Sequence, residues 1–255
     1  MICDAHIHVG YYNRYGQDGP FYYSPRRVCS VLKKCGVDEF IYSSTSMQTH
    51  GVVFDDVHKE MLEVQRLFGR GAHPFLWVSR RYRRVDSSAS LVRFGFYEGI
   101  KLHGLEMSWI VDGDKLEPIL ITAEEYKKPV MVHTGHGINV SPLKYLPYIK
   151  KHQKIRFNFA HGCPLRETMQ CMHEAQNVFV DISCMPEADI EHLANSVFTD
   201  RMLWGTDFPT LAARSGESLT ANMRRNIAVH NCLAARIDFA GNFRRYLKGE
   251  YHAKC

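Results

Sequence analysis

The 255-residue chain has no apolar run approaching the ~20 residues that a bilayer-spanning helix needs, so no membrane association is expected. Its eight cysteines (Cys3, Cys29, Cys35, Cys163, Cys171, Cys184, Cys232 and Cys255) form no C-x-x-C pair, and the opening M-I-C-D lacks the basic head and cleavage site of a secretory leader. Thiols scattered this way point to a reducing compartment, and the expected location is the cytoplasm. No G-x-G-x-x-G or G-x-x-x-x-G-K-[ST] turn follows the first strand-like segment, which argues against the usual nucleotide-binding versions of an α/β fold. No Pro/Ser-rich linker, low-complexity tract or short repeat divides the chain. A strong excess of one charge sign is also lacking: the net +5 is mild with both signs dispersed, and no nucleic-acid partner is expected.

What is present is an alternation. Short segments rich in β-branched and aromatic residues, such as D-E-F-I-Y-S-S, P-V-M-V-H and V-F-V-D-I-S, are separated by longer amphipathic ones. Ser24-Pro25 opens a helix with Val28, Val31, Leu32 and Cys35 on one face before Gly36. Others run from about Asp55 to Phe68, from Asp114 to Lys128, and after Ser141, Pro164 and Glu187, and the chain from Glu217 onward is mainly helical. Roughly eight strand-then-helix units with nearly continuous apolar strands imply a parallel sheet covered by helices. The expectation is an α/β fold, a (β/α)8 TIM barrel forming one domain over residues 1–255, with an open doubly wound sheet as the alternative.

The polar residues fall at strand ends. In C-D-A-H-I-H-V-G, His6 and His8 share a strand face while Ile7 points away. Two adjacent imidazoles repel if both are protonated, but suit one cation if both are neutral. The fourth strand ends in Lys101 and His103, the fifth in His133 with His136 beyond it, the sixth in His161 and the eighth in Asp207. A barrel brings these ends to one mouth. Neutral imidazoles and one carboxylate suit a divalent transition metal, with zinc the expected ion, and leave a position for a water whose pKa falls from 15.7 to about 7.

In that order, H-x-H, K-L-H-G, V-H-T-G, A-H-G and G-T-D-F-P, the chain resembles the amidohydrolase superfamily. More narrowly it resembles the amidohydrolase-related branch of aminocarboxymuconate semialdehyde decarboxylase and metal-dependent hydrolases. The likeness runs from Asp4 to Pro209. It implies that His6, His8, His133 and Asp207 hold the metal and that His161 stays off it to orient or deprotonate the water. Members with two metals use a carbamylated lysine at the position of Lys101, with His133 and His161 on the second ion. The reading favours one ion per chain over two, leaving Lys101, His103 and His136 for a second metal or for substrate. Asp4 is expected to face the same way as His6 and to support a ligand histidine.

Substrate candidates are Tyr11 and Arg14 in a loop after the first strand, Arg80 and Arg81 in S-R-R-Y-R-R, and Trp109 beyond K-L-H-G. They suit a small carboxylated or aromatic molecule. Hydrolysis of a C–N or C–O bond is the leading expectation, with non-oxidative decarboxylation as the sister reaction. A TatD-type deoxyribonuclease needs a fourth-strand glutamate that K-L-H-G lacks, and a catalytically inactive binding barrel sits poorly with the intact His/Asp set. A homodimer is the default assembly.

Overall fold

Strands that are apolar on both faces need cover on both, and the structure supplies it with helices outside and a packed interior. The computed structural model describes residues 1–12, 21–46, 54–78, 95–104, 116–136 and 139–249. The elements are β1 (Cys3–Tyr12), β2 (Phe21–Tyr23), α1 (Pro25–Cys35), β3 (Glu39–Ser44), α2 (Phe54–Phe68), β4 (Ala72–Trp77), β5 (Gly99–His103), α3 (Leu116–Glu125), β6 (Val130–His133), α4 (Pro142–Lys151), β7 (Phe157–Ala160), α5 (Leu165–Glu174), β8 (Val178–Asp181), α6 (Glu187–Ala194), β9 (Met202–Leu203), α7 (Thr210–Ser215), α8 (Leu219–Leu233) and α9 (Phe239–Lys248). β1 and β3 to β9 pair in parallel, in sequence order. The curl closes where the Ala5 and His8 amides donate to the Trp204 and Phe208 carbonyls at 2.8 and 2.7 Å, beside an Ile7–Phe208 bridge. The result is a (β/α)8 TIM barrel.

Local sequence sets the ends of the elements. The Ser24 hydroxyl accepts from the Arg27 amide to start α1, and Gly36, at φ 75°, ends it in the left-handed conformation. The buried Arg201 guanidinium donates to the carbonyls of Met172 and Ala175 at 2.8 and 2.9 Å, satisfying acceptors that α5 leaves open at its C-terminus. No helix among the described residues is long and apolar enough to cross a membrane, and the described cysteines form no disulfide.

Strand alternation sorts the residues into two layers. Phe40, Tyr42, Val130, Val132, Phe157, Phe159, Val178 and Val180 pack outward among the helices. Their alternates Ile41, Phe75, Met131, Ala160, Phe179 and Leu203 fill the interior, and Phe243, Tyr246 and Leu247 of α9 plug its lower end. The polar strand ends therefore stand on a dry apolar floor.

Two expectations are corrected. Tyr11 is not in a loop: β1 runs on through it to Tyr12 and pairs antiparallel with β2, setting Tyr11 against Tyr22 with ring centroids 4.6 Å apart. Nor does Asp4 share a face with His6. Asp4 registers with Phe40 and Ile7 with Tyr42, so three steps on β1 match two on β3. That extra residue is a β-bulge, and it resets the alternation. Asp4 instead closes the barrel, accepting from the Thr206 hydroxyl at 2.6 Å, the Thr206 amide at 3.1 Å and the His6 amide at 3.0 Å.

Burial outweighs these three donors and pushes the Asp4 carboxyl up to about 8 from its ordinary 3.8. The folded chain then holds a proton that the unfolded chain has released, so Asp4's contribution to stability falls as pH rises through that window. Asp4→Ala, which leaves buried donors without an acceptor, is expected to lower unfolding stability by about 2–3 kcal/mol. Asp4→Asn should keep most of the stability and flatten its decline with pH, both read by urea denaturation at a series of pH values.

Candidate metal centre

Just past its bulge, β1 carries the two histidines that the bulge turns inward. His6 Nε2 lies 3.1 Å from His8 Nε2, and Asp207 Oδ1 lies 3.1 Å from His8 Nε2 and 3.7 Å from His6 Nε2. Ligand atoms ~2.0–2.1 Å from a tetrahedral zinc ion stand ~3.3 Å from one another, so this N, N, O triangle has the edge lengths of a zinc face. All three residues are buried. Asp207 sits beyond β9 rather than on its end as expected. β9 is only two residues long, and the hydrogen bonds to β1 carry the following segment inward, with Asp207 at φ 52°. His161, just past β7, is also left-handed at φ 72°. Strained backbone at both residues fits functional positions held by their surroundings.

Hydrogen bonds around the triangle fix which nitrogen of each ring faces it. His8 Nδ1 is 3.0 Å from the Ser43 hydroxyl. His6 Nδ1 is 3.1 Å from the Ser183 hydroxyl, and His161 Nδ1 is 3.0 Å from that same hydroxyl and 3.1 Å from the Ser183 carbonyl. The Ser183 hydroxyl also donates to Asp181 Oδ1. A hydroxyl has one proton to give and two lone pairs. Its proton goes to Asp181, so His6 and His161 must each donate from Nδ1, and their Nε2 atoms carry the lone pairs. Asp181 thus sets the tautomers of histidines from two different strands.

Asp181 is fully buried. Burial opposes its charge, but the facing His6 and His161 and the Ser183 hydrogen bonds hold it well below the usual carboxylate range. The Asn158 amide donates to Oδ2 at 2.9 Å, and a Cβ on Gly205 would come within 3.0 Å of the carboxyl, so the glycine of G-T-D-F-P leaves room for it. Burial pulls the ring of His6 down to about 3, with nearby Lys101 adding to the effect. Burial likewise lowers His161 and His133. Neutral imidazoles are what a cation needs. Burial also works against the Asp207 carboxylate, yet its bond to His8 and the surrounding rings hold it well below the ordinary range.

A family model described as amidohydrolase matches residues 80–227, more than half of the chain. The chain belongs to the amidohydrolase family. No match is found among curated protein sequences. Solved structures share the fold at low identity. A probable 2-pyrone-4,6-dicarboxylic acid hydrolase from Acinetobacter baumannii, with citric acid bound, is 13% identical at a TM-score of 0.65 over 98% of this chain and 99% of that one. Amidohydrolase 2 from Bifidobacterium longum subsp. infantis is 12% identical at 0.66 over 96% of each chain. An amidohydrolase from Burkholderia multivorans with bound zinc is 13% identical at 0.62, over 97% of this chain and 99% of that one.

The other candidates of this amidohydrolase chain fall into three sets. His133, Lys101 and His103 join the site's surroundings. His133 Nδ1 faces His161 Nε2 at 3.1 Å, although the groups of described donors within 4.8 Å of one another do not include His133. Lys101, 1% exposed, brings Nζ to 3.1 Å from His6 Nε2. His103 stacks between His133, at 3.9 Å, and Trp77, at 5.5 Å, and its Nδ1 is buried without a hydrogen-bond partner. His136 is exposed on a bend past β6, and Tyr11 is held in the β1–β2 hairpin. Arg14, Arg80, Arg81 and Trp109 lie outside the described residues.

Sequence reasoning missed Ser43, Trp77, Asp181, Ser183 and Cys184. The available signal was D-I-S at the end of the seventh barrel strand. Asp181→Asn is expected to free the Ser183 proton, loosen both tautomers and weaken metal affinity ~10–100-fold. Competition with a chromophoric chelator checks this, and Ser43→Ala should act in the same direction through His8.

Proposed function

We propose that this chain is a metal-dependent hydrolase acting on a C–N or C–O bond of a small carboxylated or aromatic molecule. One observation carries the reading: His6 and His8 turn their Nε2 atoms toward each other and toward Asp207, with their Nδ1 atoms tied off behind. On this reading His6, His8 and Asp207, with His133 as fourth member, hold one divalent ion, zinc by preference. When bound, such an ion lowers the pKa of a water and polarises a carbonyl.

The chain's own residues do the rest. His161 is the proton acceptor. Its Nδ1 is committed to Ser183, its Nε2 carries the lone pair, and burial keeps the ring neutral below the usual imidazole pKa of ~6.5. Once protonated, it stands near the negative charges of Asp207 and Asp181, both of which favour the imidazolium. It can then return the proton to the leaving nitrogen or oxygen. Lys101 places a cation in the interior beside His6, which supports an anionic group on the substrate. Trp77, 5.3 Å from the His8 ring, offers a flat wall for a planar one. The fold neighbour described as a 2-pyrone-4,6-dicarboxylic acid hydrolase is consistent with such a substrate class.

Purified protein is expected to carry about one divalent ion per chain, and Asp207→Ala to lose it, by elemental mass spectrometry. Against a panel of amides, lactones and aromatic carboxylic acids, kcat/KM should fall on the acid side at a pH below ~6.5. His161→Gln should retain the ion, lose that acid limb and drop ~10²–10⁴-fold. Release of CO2 without hydrolysis would replace the reading with decarboxylation, and undiminished turnover after complete metal removal would overturn it.

A further inference from the structure

The Asp207 carboxylate has two oxygens, and they face different donors. Oδ1 looks toward His6 and His8, whereas Oδ2 lies 3.7 Å from the Cys184 sulfur. Cys184 follows the tautomer-setting Ser183, is exposed, and stands at φ 57° beyond β8. A ring nitrogen of His161, the Cys184 sulfur and an Asp207 oxygen all lie within 4.8 Å of one another. Because His161 Nδ1 donates to Ser183, the Nε2 side carries an available lone pair.

We propose that His161, Cys184 and Asp207 form a second site for a soft divalent cation such as zinc or cadmium, with Asp207 bridging it to the first. A thiolate in the donor set selects soft ions over magnesium or calcium. The thiol proton leaves to solvent as the sulfur–metal bond forms, with no change of oxidation state. The second ion takes the His161 lone pair that the proposed reaction uses, so the site is inhibitory: excess zinc silences the enzyme by occupying its proton acceptor. The inference rests on the proposed role of Asp207 at the first ion.

Cadmium titration of metal-stripped protein tests it without any substrate. Wild type is expected to bind two ions per chain, with an ultraviolet thiolate-to-cadmium charge-transfer band rising with the second equivalent. Cys184→Ser, a change at an exposed side chain, should keep the first ion and lose both the second equivalent and the band. His161→Gln should also lose the second ion while keeping the first. One ion in wild type with no band, or a band that survives in Cys184→Ser, would overturn the second site and leave the first intact. Failure of wild type to hold any ion would overturn the functional reading and this inference together.

Discussion

One extra residue in β1 decides what the interior of this barrel contains. Between Asp4 and Ile7 the strand advances three residues while β3 advances two. Below the bulge the inward positions are Cys3 and Ala5, which join the apolar floor. Above it they are His6 and His8, while Ile7 and Val9 pack outward. Without the bulge, strict alternation from Cys3 and Ala5 would turn Ile7 and Val9 inward, and both histidines would face the helices. The irregularity also frees Asp4 to tie the strand to Thr206, so the device that aims the two histidines is the one that closes the sheet.

The floor makes the polar layer above it expensive and therefore specific. Eight strand residues and three from α9 fill the lower barrel with apolar side chains, and the histidines above lose most of their hydration. In such surroundings unpaired charge is costly and imidazoles stay neutral. Lys101, nearly inaccessible beside His6, strengthens that preference. The negative charges of Asp181 and Asp207 oppose it, and the two differ in their commitments. Asp181 is saturated by Asn158, Ser183 and the backbone amides of His161 and Ser183. Among the described residues, the Asp207 carboxylate faces ring nitrogens and a thiol, the donors a transition metal takes.

The barrel and the gathering of its polar strand ends were legible because both follow from periodicity. Eight apolar segments separated by amphipathic ones fix a parallel sheet, and a parallel barrel gathers its strand ends, so His6, His8, His133, His161 and Asp207 could be grouped across two hundred residues. What escaped had no periodic signature. A bulge does not show in a two-residue alternation, so Asp4 was placed on the wrong face. The hairpin that carries Tyr11 depends on pairing with Tyr22 across an intervening segment, which composition does not reveal. Asp181 ends an apolar strand like any polar boundary residue, and Ser183 and Ser43 are small hydroxyls whose importance lies entirely in what they touch.

That contact pattern bears on why the site couples its parts. The Ser183 hydroxyl is shared by His6, a proposed ligand, and His161, the proposed proton acceptor. Its single proton is committed to Asp181, so neither ring can change tautomer without breaking a bond to the same oxygen. A proton taken by His161 at Nε2 makes its Nδ1–H a stronger donor to Ser183, which strengthens the hydroxyl's own bond to Asp181 through mutual polarisation. The proposed ligand ring and the proposed acceptor ring are thereby fixed by one buried carboxylate, set on a third strand by Asn158 and given space by Gly205. Orientation of the two functions is a single property of β8, which is why the residue with the widest reach over the site is one that faces neither the cation position nor solvent.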